Sequence, residues 1–236
     1  MSALANLQQH LNRFWALPHH KDAALNTKLK EVQAWQQARI KHTHSALFEQ
    51  PKNKPMAEYF LTQLYGGDEF KVLAEQLDRI LPKAKKLERL AKEASLEAGS
   101  MGIQASILAI ELDLHLAEWL VAQDLAVNEE NMLAAYRAVD EANERRVQIN
   151  NLKEVCYRTD KDLNSFMLKK AFGLAKGTAY RHNFQQLYDF IDSGFKAMKP
   201  LKSVSSFIEP FCERELEIID EVHDTNNGGK PAAFGV

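Results

Sequence analysis

The sequence predicts an all-α protein, a multi-helix bundle of about nine or ten helices. Three observations predict it. Apolar residues recur at the spacing of one helix face along nearly the whole chain. No stretch sustains the period-two alternation of a half-buried strand. The seven prolines and ten glycines in 236 residues fall mostly where a helical reading needs a break.

The first helix covers about residues 3–17. Leu4, Leu7, Leu11, Phe14 and Trp15 form its stripe, and Pro18 ends it. Asp22 caps the second helix, which carries Leu25, Leu29, Val32 and Trp35 and fades near Phe48. Pro51 and Pro55 bracket a loop. A short third helix, 56–65, stops at Gly66-Gly67, and Asp68 opens the fourth, with Phe70, Leu73, Leu77 and Ile80. A fifth helix follows Pro82 to Gly99, and Ser100 to Gly102 read as a break. The sixth helix, about 103–123, is apolar in nearly every direction except a narrow stripe of Gln104, Glu111, His115 and Glu118. A helix buried on most sides and wet along one seam belongs at the centre of the bundle. One long seventh helix runs from Asn128 to Tyr157. The eighth ends by Gly177, the ninth runs from Tyr180 to Met198, and the tenth covers 204–222. Residues 1–223 read as a single α-helical domain, and 224–236 as a flexible C-terminal tail without periodic pattern.

Composition narrows the function. The formal net charge is −2 and the pI about 6.5, so nothing in the overall balance favours nucleic acid as a partner. The N-terminus lacks a basic start followed by an apolar run, and the most apolar stretch, 103–121, contains Glu111, Asp113, His115 and Glu118. No membrane span and a soluble, cytoplasmic location are therefore expected. Cys156 and Cys212 stand alone in helical patterns and read as small buried hydrophobes in a reducing compartment. Charge is uneven: residues 153–181 hold seven Lys/Arg against three acids, whereas 209–224 hold seven acids and Arg214. Such unevenness fits mutual pairing and solvated faces, or a surface that docks a partner.

No stretch matches a phosphate-binding loop, a dinucleotide fingerprint, a nucleophile elbow or a zinc-protease helix. Glu111, His115 and Glu118 share one face, as ligands of a dimetal bundle would. That architecture needs Glu-x-x-His on two helices, and the sequence contains no Glu-x-x-His. Neither a metal, nor a cofactor, nor catalytic residues are expected. Asp113 is more informative, because it projects opposite the polar stripe, among Ala109, Leu116, Ala117 and Leu120. A carboxylate buried there needs a partner. Asn143 and Arg146 fall on the apolar face extrapolated along the seventh helix, and Glu215 lies among Ile208, Phe211, Ile218 and Val222 on the tenth. Asp113, Asn143, Arg146 and Glu215 thus form an expected buried polar cluster. It serves either helix register or a pocket with shifted pKa values.

The segment Tyr59-Phe60-Leu61-Thr62-Gln63-Leu64-Tyr65-Gly66 resembles the Phe-Phe-Leu-Glu-Glu-Leu-Tyr (FFLEE-type) motif of an uncharacterised bacterial family. The following DEFKVLAEQLDRILP, and the runs at 136–149, 187–198 and 211–219, are similar to that family's continuation. Thr62 and Gln63 replace the motif's two acids, so no role of theirs carries over. The resemblance implies a bacterial, cytoplasmic, all-α protein and no particular activity.

The sequence leaves the function unknown and three readings open. The first is a non-enzymatic binding or regulatory protein with a protein partner. The alternative is a helical-bundle small-ligand binder or enzyme built on Asp113, Arg146 and Glu215. The third is a homodimer joined through the long seventh helix or the aromatic first one.

Overall fold

A computed structural model describes residues 2–64, 68–82, 93–163 and 166–224. Eleven α-helices and no strand occur among these residues: α1 (Ala3–Ala16), α2 (Ala23–Thr43), α3 (Ser45–Phe48), α4 (Lys54–Tyr59), α5 (Asp68–Ile80), α6 (Glu93–Ala122), α7 (Glu129–Val139), α8 (Ala142–Leu163), α9 (Phe166–Arg181), α10 (Gln185–Met198) and α11 (Ser205–His223). The all-α multi-helix bundle is thus as expected. The expected Gly66-Gly67 stop, most of the fifth helix, and nearly all of the C-terminal tail lie outside the described residues.

Local chemistry starts the helices. The Ser2, Asp22 and Asn128 side chains accept from the Ala5, Leu25 and Asn131 backbone N–H groups, satisfying donors left over at the N-termini of α1, α2 and α7. Pro18 ends α1 and opens a short 3₁₀ turn, Pro18–His20. Past α4 the chain widens into a π-helical turn, Phe60–Leu64, within the FFLEE-like segment.

The central helix, α6, is 30 residues long, or about 45 Å. It packs against α1, α2, α7 and α8. It begins ten residues before the expected start, and Ser100 to Gly102 do not break it. A Cβ would meet nothing within 4 Å at Gly99 and only Val155 Cγ1, at 3.7 Å, at Gly102, so neither glycine serves a turn. Burial of Ile103, Ala105 and Ile107 on this helix outweighs the roughly 1 kcal/mol that each glycine costs a helix interior.

The expected seventh helix is two helices. Asp140 adopts the left-handed conformation, φ 55°, and its N–H donates to the Tyr136 carbonyl to close α7. α8 therefore starts with a new rotational phase. Further on, α9 continues through Gly177 and ends at the turn containing Asn183, φ 59°. At Gly177 a Cβ would meet nothing within 4 Å, so permissive space rather than a turn surrounds this glycine.

Two apolar clusters fill the bundle. One gathers Leu11, Phe14, Leu29, Val32, Phe70, Leu114, Leu120 and Met132 from α1, α2, α5, α6 and α7. The other gathers Phe48, Met56, Phe60, Ile149, Met198, Phe207 and Phe211 from α3, α4, the π turn, α8, α10 and α11. α2 and α11 run through both: Val32 and Trp35 belong to the first cluster and Ile40 to the second, while Phe211 belongs to the second and Val222 to the first. The aromatic face of α1 turns inward. Phe14 is buried against Phe70, and the half-buried Trp15 indole donates to the Asp78 carboxylate, so this stripe packs within the chain.

Asp140 yields a test of the re-phasing turn. Replacing it with valine should cost about 1–2 kcal/mol, because a β-branched side chain fits the left-handed region far worse than the short polar side chain of aspartate. Asp140→Gly should stay within about 1 kcal/mol of the parent. Urea unfolding measures both, and equal effects of the two changes would contradict the assignment.

Candidate functional site

Between the two apolar clusters lies a layer of polar side chains. α2 contributes Gln36 and Arg39, with His44 at its C-terminal end. α6 gives Asp113, α7 gives Tyr136, α8 gives Arg145 and α11 gives Glu215. All seven are buried, and Gln36 is 0% exposed.

Their contacts form one continuous chain. Arg39 Nη1 donates to Glu215 Oε1 at 2.6 Å, and His44 Nε2 donates to the same oxygen at 2.7 Å. Arg39 Nη2 reaches Gln36 Oε1 at 3.5 Å. The Gln36 amide nitrogen donates to Asp113 Oδ1 at 3.0 Å and to the Tyr136 hydroxyl. Arg145 Nη2 donates to the Leu112 carbonyl at 3.1 Å, lies 3.7 Å from Asp113 Oδ1, and its guanidinium sits 4.5 Å from the centre of the Tyr136 ring. Two guanidiniums thus face two carboxylates without contact with bulk water, the condition under which a buried charge survives.

The two carboxylates differ. Burial pushes the Glu215 carboxyl upward, but the Arg39 charge and the hydrogen bonds from His44 and Arg39 overcome it and hold the group down at about 2. Burial raises Asp113, and Arg145 and Gln36 only partly offset it. Glu215 is therefore held as a carboxylate, while Asp113 is the carboxyl that takes a proton more readily.

A cavity of about 90 Å³ opens beside this layer. Arg39, Tyr136, Arg145 and Glu215 line it, and their mutual contacts make them one polar patch. Most of the remaining wall is apolar, with Ile40, Phe60, Ala109, Ile149, Phe211 and Ile218 among it. The π turn supplies Phe60 and Leu61, and irregular turns of this kind recur at functional sites. The volume suits several waters or a small organic group.

The sequence placed part of this layer. Asp113 and Glu215 are buried, 2% and 6% exposed, but they lie at different points of the chain of contacts. Asn143 and Arg146 need correction. Asn143 is exposed, and Arg146 is partly exposed and pairs with Asp220 at 2.5 Å. The break at Asp140 is the reason: a phase carried across it points to Arg146, whereas the phase of α8 itself points to Arg145. Arg145 shares its spacing with Ile149, Leu152 and Cys156, a signal present in the sequence. On α2, Gln36 and Arg39 continue the apolar stripe Leu25, Leu29, Val32 at intervals of four and three. His44 and Tyr136 were outside the expected cluster as well.

The wet seam of α6 dissolves into separate pairs. Glu111 pairs with Arg13, His115 lies 2.6 Å from Glu141, and Glu118 is exposed. Among the described residues no group of three His, Cys, Asp or Glu side chains is placed to hold a metal ion. Both cysteines are free and buried; burial pushes the Cys212 thiol up to about 12 and Cys156 higher still. No helix among the described residues is long and apolar enough to cross a membrane.

These features define an all-α bundle divided by a buried ionic layer, with an amphipathic cavity at that layer. The chain belongs to the family described as domain of unknown function DUF8198, whose model matches residues 16–228. No curated protein and no solved structure matches it.

Acid titration tests the ionic layer. Glu215 has a lower pKa folded than unfolded, so its contribution is present above about pH 4.5 and is lost as pH falls towards 2; it is on the order of 3 kcal/mol. Asp113 acts oppositely, because a raised folded pKa stabilises the protonated form and that contribution disappears as pH rises through the folded value. Urea unfolding from pH 7 to pH 2 should give a shallower acid limb for Glu215→Gln than for the parent and a steeper one for Asp113→Asn. Identical limbs in all three proteins would rule out this assignment.

Proposed function

We propose that this chain is a non-enzymatic binding protein that encloses a small, mainly apolar molecule with a carboxylate or similar acceptor at one end. The single observation that carries this reading is the cavity beside the ionic layer, apolar over most of its wall and bearing Arg39 and Arg145 on one patch. Arg145 is the group suited to the ligand's polar end. Its hydrogen bond and its ion pair both use Nη2, and its distance of 3.7 Å from Asp113 leaves that pair loose. An arginine fork matches a carboxylate in geometry as well as charge. The apolar walls would supply affinity by burial, and the patch would set orientation.

Chemistry favours binding over turnover. Glu215 is locked as a carboxylate by Arg39 and His44 and is too weak a base near neutral pH. The His223 imidazole at the cavity wall is held below its ordinary pKa, chiefly by burial. The buried thiols are far from a thiolate. The resemblance of residues 59–66 to the FFLEE-type motif and the two free thiols support a bacterial, cytoplasmic setting. Enclosure of the ligand between α6, α8 and α11 gives it a route to a protein partner: a change in helix packing reaches the acidic outer face of α11, where Glu213, Glu217 and Glu221 lie.

Native mass spectrometry on gently isolated protein tests this reading. A retained small molecule that is lost on denaturation is the expected result, with retention reduced at least tenfold in Arg145→Met and abolished in the cavity-filling Ala109→Leu. Thermal unfolding checks that both variants fold. A chain that carries no small molecule, and whose melting temperature is unmoved by short-chain fatty acids and aromatic carboxylates, would overturn it.

A further inference from the structure

A second cavity, of about 120 Å³, lies where the end of α1 and the 3₁₀ turn meet α2, α5 and α6. It shares no lining residue with the first. Its polar wall consists of His19 and His20 from the turn, Asn26, Lys30 and Gln33 from α2, and Lys71 from α5. α1 and α6 contribute Phe14 and Ile110, which carry no charge. No carboxylate lines it among the described residues. His19, Asn26, Lys30, Gln33 and Lys71 are each of a type that can donate a hydrogen bond, and two are lysines.

Three details point to a ligand. Lys71 makes no ion pair among the described residues. His20 is anchored, with Nε2 donating to the Phe14 carbonyl at 3.0 Å, and its ring centre lies 4.0 Å from that of His19. His19 Nδ1 is buried and has no hydrogen-bond partner among the described residues. Buried polar atoms are nearly always paired, and an orphan on a cavity wall marks the place of a missing acceptor or donor. Lys30 and Lys71 make the wall electropositive, and burial, with smaller contributions from His20 and Lys71, pushes the His19 imidazole down to about 4. Two lysine side chains on this wall suit it to a negative charge.

We propose that this cavity is a binding site for a phosphate group. A compact tetrahedral oxyanion offers several acceptors at once, and donors from the turn, α2 and α5 converge on the space. A carboxylate presents only two oxygens in one plane. The phosphate arrives either free in solution or on a lipid headgroup, and the same residues hold it in both cases.

The test uses the full chain and two forms of phosphate. His19 is followed by NMR while inorganic phosphate replaces chloride at constant ionic strength. The expected result is a saturable rise of the His19 titration midpoint from about 4, with binding weakened at least fivefold in Lys71→Ala and in His19→Gln. Lys71 is exposed, so its replacement leaves the fold intact, which thermal unfolding verifies. In parallel, sedimentation with phosphatidylcholine vesicles containing phosphatidic acid reads the lipid-borne form. Co-sedimentation lost in Lys71→Ala supports a headgroup as the source. Binding of neither form, an equal response to acetate, or binding unchanged in both variants would overturn the proposal.

Discussion

The buried pair between Arg39 and Glu215 is the contact on which the rest of the arrangement depends. It joins α2 to α11 across 176 positions of sequence, at 2.6 Å and with both side chains almost wholly shielded. Two charges taken from water cost several kcal/mol each unless each finds the other in good geometry and their remaining groups are satisfied. His44 adds a second donor to the same carboxylate oxygen, and Gln36 accepts from the guanidinium. Gln36 then ties the pair to Asp113 on α6 and Tyr136 on α7. Four helices are thereby registered against one another through groups that tolerate little displacement.

The position of this layer explains the cavity. Apolar side chains on either side pack into two clusters, and each cluster is dense in large residues such as Phe207 and Leu120. Charged groups at the boundary cannot be packed against from every direction without losing their partners. The wall next to Arg39, Arg145 and Glu215 is instead made of small residues from α6, with Gly102, Ala105, Ser106 and Ala109 facing that space. Gly102, which reads as part of a break in the sequence, is one of the small α6 residues that leave room inside the bundle. Packing, rather than any catalytic motif, links this sequence to its proposed binding role.

The fold class was legible because the 3.6-residue period runs through most of the chain and burial reinforces it. The limits of individual elements were less legible for two physical reasons. Gly99, Gly102 and Gly177 resemble stops, but no positive φ is required at them, and at Gly99 and Gly102 the long, packed α6 absorbs the cost. Conversely, Asp140 and Asn183 turn the chain through left-handed conformations that polar residues also adopt, and no glycine announces them. Asp113 and Glu215 were readable as carboxylates on apolar faces. Arg145 was hidden by the break at Asp140. Arg39 and Gln36 were hidden in plain view, as polar members of an otherwise apolar stripe on α2.

The central claim is that the Arg39–Glu215 pair acts as one unit holding α2 to α11. A double-mutant cycle with Arg39→Met and Glu215→Leu, read by urea unfolding at pH 7, tests it most directly. Each single change leaves a buried charge without its ion-pair partner and should cost about 3–5 kcal/mol. The double change removes both charges and should cost far less than the sum of the two. Costs that add to within about 0.5 kcal/mol would show that the two side chains act independently and would contradict the account.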